Sequence, residues 1–276
     1  PTGPLLAPSE KRGTIERTPR GITMQLEGKV AIVTGAARGL GRAYAEALAS
    51  EGAAVVAADI NDCGDTVAAI EAAGGRAVAC ALDVSDSGSC AAMAALAAET
   101  YGRIDTLINN AALYAGLRGA RFENLDEHQW DQVMQINIKG TWLTSSAVVD
   151  CMRESGDGGS IINIASLAAV FGLPYGLDYV ASKAAVIGMT RGMARELGPD
   201  RIRVNAVAPS AVMTEGTAEF FGDKFEKAKT VIAANQLIPR NLETADLTGT
   251  IIYLASDASR FVTGQTHMVD GGSWFL

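Results

Sequence analysis

Short apolar runs alternate along most of the chain with longer stretches of helical periodicity. Seven runs have the length and composition of buried strands and are bounded by glycine or polar turns. These runs lie at 30–33, 53–58, 76–81, 106–109, 160–164, 201–207 and 266–269. Helical spacing of apolar residues is found at 39–50, 63–73, 85–101, 125–152, 178–197 and 244–254, whereas 211–238 is predicted to be irregular or weakly helical.

The regular alternation of strands and helices predicts the fold class. Strands that follow one another through helices must pair in parallel, with the helices covering the sheet. We therefore predict a single α/β domain over residues 24–276, a doubly wound parallel sheet of the Rossmann-like type with helices on both faces. Residues 1–23 hold prolines and basic residues without apolar periodicity. We interpret them as an extension outside the domain, either a leader or an added remnant.

Composition restricts the classes of function. Hydrophobic residues make up 48% of the 276 residues, and the net charge of −8 disfavours a nucleic-acid-binding face. No apolar run reaches the roughly 18 residues that a membrane span needs. The four cysteines are Cys63, Cys80, Cys90 and Cys151, with no C-x-x-C spacing and only two histidines in the chain. The sequence thus predicts no metal site, and reduced thiols in a cytoplasmic protein.

A candidate proton-transfer site lies between Ser166 and Lys183. Tyr179 and Lys183 are four residues apart, so a helix places them on one face. Tyrosine has a pKa of about 10 and is a weak base at neutral pH, and a neighbouring ammonium is expected to lower that pKa. Ser166 follows a predicted strand and could hold the oxygen atom that Tyr179 protonates. Such a Tyr-Lys pair can equally belong to a solvated helix face, so it needs support from other parts of a site.

A glycine-rich turn supplies part of that support. Thr34-Gly-Ala-Ala-Arg-Gly-Leu-Gly41 joins the first strand to the first helix. Gly35, Gly39 and Gly41 would allow backbone N–H groups to approach a pyrophosphate at a helix N-terminus. Asp59 ends the next strand, where a carboxylate can accept the ribose hydroxyls of an adenosine. An aspartate at a strand end can also be an ordinary capping residue.

Further candidate residues follow other strands. Asp83 and Val84 come after the third strand, where adenine would lie, and Asn109, Asn110 and Ala111 close the fourth. Open α/β sheets bind ligands beyond the carboxyl ends of their strands. The glycine turn, Asp59 and Ser166 all fall at that same edge, which favours one shared site.

In these features the chain resembles the short-chain dehydrogenase/reductase family over residues 24–276. The matching residues are Gly35, Gly39 and Gly41 of the turn, Asp59, Asp83, Asn109-Asn-Ala111, Asn137, Ser166, Tyr179, Lys183, Asn205 and Val269-Asp-Gly-Gly272. The resemblance implies hydride transfer with a nicotinamide cofactor. It implies that Tyr179 is the general acid/base, that Lys183 lowers its pKa and binds ribose, that Ser166 orients the substrate, and that Asn137 holds a water.

The resemblance also implies a cofactor-binding set and a substrate-binding set. Residues expected to contact the cofactor are Gly35, Arg38, Gly39, Leu40, Gly41, Asp59, Ile60, Asp83, Val84, Asn110, Ala111, Tyr179, Lys183, Pro209, Val212 and Thr214. Residues expected to contact the substrate are Ser166, Ala168, Phe171, Tyr175, Tyr179 and Met213, with Leu113, Tyr114, Leu173, Phe220 and Phe221 as further lining. The 211–238 segment is expected to close over the ligand.

The expected activity is NAD-dependent interconversion of an apolar or aromatic secondary alcohol and its ketone. Asp59 favours NAD, because a carboxylate would repel the ribose phosphate of NADP. Arg38 is the counter-argument, because a basic residue in this turn could help to hold the phosphate. Asp59 would instead pair with Arg38 or repel the phosphate, and we expect the carboxylate to dominate. A 3-oxoacyl reductase of the same family is the first alternative, and a catalytically silent NAD-binding regulator is the second.

Two positions depart from the family pattern. Ser210 and Ala112 stand where glycines are usual. The resemblance implies a homotetramer, and the apolar segment 272–276 is expected at a subunit interface.

Overall fold

The computed structural model describes residues 24–275, so the predicted extension 1–23 lies outside the described residues. One seven-stranded sheet, parallel throughout, forms the centre of the molecule in the order β3-β2-β1-β4-β5-β6-β7. The strands are β1 Val30–Thr34, β2 Ala54–Asp59, β3 Arg76–Ala81, β4 Thr106–Asn109, β5 Gly159–Ile164, β6 Ile202–Pro209 and β7 Thr266–Val269. The predicted doubly wound parallel sheet is confirmed.

Helices cover both faces of the sheet. They are α1 Gly39–Ser50, α2 Gly64–Ala72, α3 Ser87–Tyr101, α4 Glu127–Val133, α5 Gly140–Glu154, α6 Ala168–Phe171, α7 Leu177–Leu197, α8 Glu215–Phe221, α9 Phe225–Ala234 and α10 Ala245–Ala255. A π-helical segment, Met134–Lys139, joins α4 to α5, and short 3₁₀ turns lie at Phe122–Asn124, Gly198–Asp200, Gly222–Lys224 and Asp257–Ser259.

Successive residues of β1 show how the two faces are filled. Ala31 and Val33 pack into an apolar cluster with residues of α1 and α10, whereas Ile32 packs into the opposite cluster with residues of α3 and α5. Side chains of a strand alternate between faces, so both faces need apolar residues when both are covered by helices. This explains the near-continuous apolar runs of the strands.

The connection between β3 and β4 determines where a ligand can bind. After β1 the chain winds outward to β2 and β3, then returns across the sheet to place β4 on the other side of β1. The loops that follow β1 and β4 therefore diverge and leave a crevice at the carboxyl ends of these strands. This switch point is the ligand site of open α/β sheets.

Three local features differ from the sequence-based expectation. Segment 211–238, predicted to be irregular or weakly helical, contains two regular helices, α8 and α9. Thr214 caps α8 by accepting a hydrogen bond from Thr217 N at 3.3 Å. The single-turn α6 was not predicted, because four residues before a glycine show no periodicity. The expected helix at 125–152 is interrupted by the π-helical segment.

Two further findings concern the described part of the chain as a whole. Among residues 24–275, no helix has the length and apolar character to cross a lipid bilayer. The four cysteines are free thiols; Cys63, Cys80 and Cys90 are buried. Burial raises the pKa of Cys63 to about 12 and of Cys90 to about 11, so both stay protonated at neutral pH.

Candidate active site

The candidate site lies in the crevice at the carboxyl ends of β1, β4, β5 and β6. Gly35 follows β1, Asn110 follows β4, Ser166 follows β5 and Pro209 ends β6. The parallel sheet thus brings together loops that are far apart in the sequence.

Helix α7 presents Tyr179 and Lys183 to this crevice one turn apart. Tyr179 is 9% exposed and Lys183 is 4% exposed. The Nζ atom of Lys183 donates a hydrogen bond of 2.7 Å to the carbonyl oxygen of Ile164, the last residue of β5. It lies 5.8 Å from the centroid of the Tyr179 ring. The lysine is therefore tied to the strand that carries Ser166, and the phenol of Tyr179 faces the same cavity as Ser166.

Burial governs the electrostatics of this pair. It raises the pKa of the Tyr179 phenol, the neighbouring Tyr114 adds to the rise, and the Ser166 hydroxyl opposes it. Burial also lowers the pKa of Lys183 to about 8. The expectation that Lys183 would lower the pKa of Tyr179 is not met: burial raises that pKa, and the ammonium of Lys183 is directed to the carbonyl oxygen of Ile164.

Asn137 lies in the π-helical segment, where the altered backbone turns its amide into the protein. Its Oδ1 accepts a hydrogen bond from Leu113 N at 2.7 Å, and its Nδ2 donates to Leu113 O at 3.2 Å and to Ser182 Oγ at 3.1 Å. The side chain therefore joins the loop after β4 to helix α7, next to Lys183. Ser182 is a partner that the sequence analysis did not identify.

The glycine turn is packed too closely to accept side chains at two positions. A Cβ atom at Gly41 would lie 2.0 Å from Gly35 O, and one at Gly35 would lie 2.8 Å from Asn110 Nδ2. Asn110 in turn donates to Thr34 O at 2.9 Å. Gly39 and Leu40 at the N-terminus of α1 line the crevice, and a helix N-terminus at such a place suits a pyrophosphate.

Asp59 is held in place at the end of β2. Its two carboxylate oxygens accept hydrogen bonds from Ala37 N at 3.1 Å and from Asn61 N at 2.9 Å. It lines a cavity of about 290 Å³ together with other predicted adenosine contacts. The lining residues of this adenosine cavity are Gly35, Arg38, Asp59, Ile60, Asn61, Leu82, Asp83, Val84, Asn110, Ala111, Ala112, Leu113 and Ile136.

Arg38 has a different partner from the one expected. Its guanidinium donates to both carboxylate oxygens of Glu219 on α8, at 2.6 and 3.2 Å, and not to Asp59. Glu215 lies at 3.9 Å from the same guanidinium. Of the two expected roles of Asp59, pairing with Arg38 is therefore not the one seen: α8 places two carboxylates beside this arginine, and Asp59 instead accepts hydrogen bonds from Ala37 N and from Asn61.

A second cavity, of about 510 Å³, adjoins the first and contains the candidate proton-transfer residues Ser166, Tyr179 and Lys183. Pro209, Val212 and Thr214 also line it, with Gly39 and Leu40 of the glycine turn. The two cavities share Arg38, Asn110 and Ala112. Together they form an elongated crevice with one end at Asp59 and the other beyond Tyr179, and such a shape fits a dinucleotide with a substrate beyond it.

Aromatic and apolar side chains form much of the remaining lining of this substrate cavity. The Tyr114 ring stacks on Phe220 of α8 with centroids 4.7 Å apart and lies 5.2 Å from the Tyr179 ring. Ala168, Phe171, Leu173 and Phe221 complete this part of the lining. Of the lining residues in the described part of the chain, only Arg38 and Lys183 carry a charge.

Three predicted substrate contacts lie elsewhere. Tyr175 is 65% exposed, has a positive φ of 65° and does not line the cavity, because the backbone turns its ring outward. Met213 is also absent from the lining; its N–H donates to Leu242 O at 2.9 Å, and the cavity is lined by its neighbours Val212 and Thr214. Leu113 lines the adenosine cavity instead.

Several lining residues were not anticipated from the sequence. Ile232 of α9 and Asn235, which follows α9, line the substrate cavity, as do Ser273 and Trp274 near the end of the chain. The unusual Ser210 also lines it, and its hydroxyl accepts a hydrogen bond from Gln236 Nε2 at 3.4 Å.

Comparisons with known proteins agree with this geometry. A family model described as enoyl-(acyl carrier protein) reductase matches residues 35–273. The chain is 40% identical over 261 residues to sorbitol dehydrogenase of Cereibacter sphaeroides, covering 91% of this chain and 99% of that protein. It is 38% identical over 251 residues to 3-oxoacyl-(acyl-carrier-protein) reductase FabG of Thermotoga maritima, with 90% and 99% covered.

A solved structure adds a cofactor-bound relative. Carveol dehydrogenase from Mycobacterium avium, in complex with NAD, is 31% identical, covers 91% of this chain and 99% of that chain, and has a TM-score of 0.86. The chain therefore belongs to the short-chain dehydrogenase/reductase family of oxidoreductases. The relatives support a nicotinamide cofactor, whereas the names of the relatives point to different substrates.

Proposed function

We propose that this protein uses NAD to interconvert an apolar or aromatic secondary alcohol and its ketone. The observation that carries the proposal is the lining of the substrate cavity. Next to Tyr179 and Ser166 it offers aromatic and aliphatic side chains and neutral polar groups, but no carboxylate in the described part of the chain. An uncharged, largely apolar ligand can be desolvated there at little cost.

The chain's own residues would provide proton transfer and orientation. The Ser166 hydroxyl would hydrogen-bond the substrate oxygen, and the Tyr179 phenol would exchange a proton with it. When bound, an oxidised nicotinamide accepts the hydride and adds a positive charge beside the phenol. Lys183, already positioned by Ile164, would hold the ribose and favour the phenolate. Asn137 would hold a water near Lys183, as the family resemblance implies.

The cofactor preference rests on charge around the adenosine cavity. Asp59 lines the cavity and has its carboxylate fixed by two backbone N–H groups, and within residues 24–275 it forms no ion pair with a lysine or arginine. Arg38 lines the same cavity, and its guanidinium is engaged by Glu219. A ribose phosphate would face a fixed carboxylate without a free counter-charge, so we propose NAD rather than NADP.

One observation favours a second candidate, a 3-oxoacyl reductase. The FabG of Thermotoga maritima is 38% identical to this chain. The net charge of −8 opposes docking of an acidic carrier protein, and Asp59 opposes NADPH. A silent NAD-binding regulator is less well supported, because Ser166, Tyr179 and Lys183 are all present and face one cavity.

We also propose a cytoplasmic homotetramer, as the family resemblance implies.

Steady-state kinetics test the proposal. Secondary alcohols and ketones would be assayed with NAD(H) and NADP(H) at 340 nm, beside sorbitol and a 3-oxoacyl thioester. We expect the highest kcat/KM with an apolar or aromatic alcohol and NAD. Faster turnover of sorbitol or of the thioester than of every apolar alcohol would contradict the substrate assignment. Equal use of both cofactors would contradict the proposal that Asp59 selects NAD over NADP.

A further inference from the structure

Trp274 lines the substrate cavity, which also contains Ser166 and Tyr179. The residue is half exposed, and Phe220, Ile232 and Ser273 line the same cavity. The sequence had suggested a subunit contact for segment 272–276. In the structure, one aromatic residue of this segment lines the cavity that contains Tyr179.

The backbone that carries Trp274 is fixed by a buried carboxylate. Asp270 is 7% exposed, and its Oδ1 and Oδ2 accept hydrogen bonds from Gly272 N at 3.0 Å and Trp274 N at 2.9 Å. The Ser273 hydroxyl donates to Asp270 O at 2.7 Å. Charge-assisted hydrogen bonds of this kind fix the backbone at Trp274 before any ligand arrives.

This turn also packs against the segment that follows α9. Gly271 has a φ of 62°, and a Cβ atom there would lie 2.6 Å from Gln236 Oε1. Ile238 N donates to Gly271 O at 2.9 Å, and the buried Gln236 reaches Ser210. Ser210, one of the two departures from the family pattern, therefore belongs to the contacts that hold the Trp274 turn against the cavity.

A short substrate would gain no contact from the Trp274 indole. A three- or four-carbon alcohol bound at Ser166 and Tyr179 would fill only part of the 510 Å³ cavity and leave the rest to water. An aromatic ring on a longer substrate would share the cavity with Trp274 and with the stacked Tyr114–Phe220 pair, whose Tyr114 ring lies 5.2 Å from the Tyr179 ring. Contacts between aromatic groups stabilise binding beyond the area that they bury.

Resting on the proposed function, we propose that Trp274 is a specificity-determining residue that contacts a ring at the remote end of the substrate. The substrate class is then a ring-bearing secondary alcohol or ketone, with the ring separated from the reacting carbon. The reaction itself is unchanged: Trp274 contributes binding, not proton transfer.

A pair of alcohols with the same reacting centre tests this. 2-Butanol and 4-phenyl-2-butanol differ only in the remote phenyl group. Trp274→Ala should lower kcat/KM for 4-phenyl-2-butanol about tenfold or more, mainly through KM, and change that for 2-butanol less than twofold. Trp274→Phe should restore most of the loss. Phe275→Ala is the matched control, because Phe275 is the next aromatic residue, is 76% exposed and does not line the cavity; it should behave as wild type.

Binding provides a second readout that does not depend on turnover. Calorimetry would measure the affinity of the NADH-loaded protein for 4-phenyl-2-butanone, and Trp274→Ala should weaken it about tenfold. Equal losses for both alcohols, or unchanged affinity for the phenyl ketone, would overturn the role of Trp274. If no variant oxidises either alcohol while the binding difference persists, the proposed reaction fails and the Trp274 contact stands.

Discussion

Gly41 provides the sharpest test of how the glycine turn holds a cofactor. It lies in the first turn of α1 and is not among the glycines with positive φ, so only steric contact requires glycine there. In Gly41→Ala the new methyl group would lie 2.0 Å from Gly35 O, 2.6 Å from Gly35 C and 2.7 Å from Asn110 Nδ2. Two of these three atoms are backbone, which cannot rotate away.

The size of the effect follows from these distances. To reach an ordinary contact of 3.4 Å, helix α1 and the turn after β1 must separate by about 1.4 Å. Overpacking costs about 1–3 kcal/mol, and rigid backbone on the opposing side places this case near the upper end. A loss near 3 kcal/mol lowers the melting temperature by roughly 6–12 °C in a chain of this size. A displaced turn should also weaken NAD binding by about a hundredfold, since its N–H groups no longer converge.

Two measurements check this expectation. Thermal unfolding reports the stability, and titration of NADH fluorescence reports the cofactor affinity. Gly192→Ala is the control: Gly192 lies in α7, is exposed, and has no atom within 4 Å of an added Cβ. That variant should keep wild-type affinity and gain about 0.5–1 kcal/mol from helix propensity. Wild-type melting temperature and NADH affinity in Gly41→Ala would refute the close-packing argument.

Three further changes test the proton-transfer and adenosine sites. Tyr179→Phe should abolish turnover and leave NADH affinity nearly intact, because only the ionisable hydroxyl is lost; measurable wild-type rates would exclude Tyr179 as the acid/base. Lys183→Met should lose turnover and bind cofactor more weakly. It should also melt at a higher temperature than wild type at pH 7, because the wild-type protein buries an ammonium whose pKa falls from 10.5 to about 8. This difference in melting temperature should shrink from pH 8 to 10.5, where the folded wild type has lost the proton that its unfolded chain keeps; a difference independent of pH would contradict the argument. Asp59→Ser should erode an NAD preference of at least about a hundredfold, roughly 2.7 kcal/mol, mainly by improving kcat/KM for NADP; an unchanged ratio would remove Asp59 from the specificity argument.

The sequence by itself determined the strands, their parallel pairing and the edge at which the site lies. Apolar runs such as β1 are local signals, and helical connections between them leave parallel pairing as the geometry that the chain can follow. Tyr179 and Lys183 needed only the helical repeat to be placed on one face. Short helices and interruptions of helices could not be predicted in this way. A single-turn helix such as α6 is too short to show periodicity, and the π-helical turn around Asn137 has no local sequence signal.

Only the tertiary structure decided which distant residues complete the site. Arg38 meets Glu219 across 181 positions of the chain, and Trp274 reaches the cavity of Tyr179 from beyond β7. Such contacts depend on how α8, α9 and the last turn pack over the sheet, and no spacing in the sequence records them. The pKa of Tyr179 is a further case. The sequence places a lysine beside it, but the direction of the pKa shift depends on how completely the phenol is buried, which is a property of the folded protein.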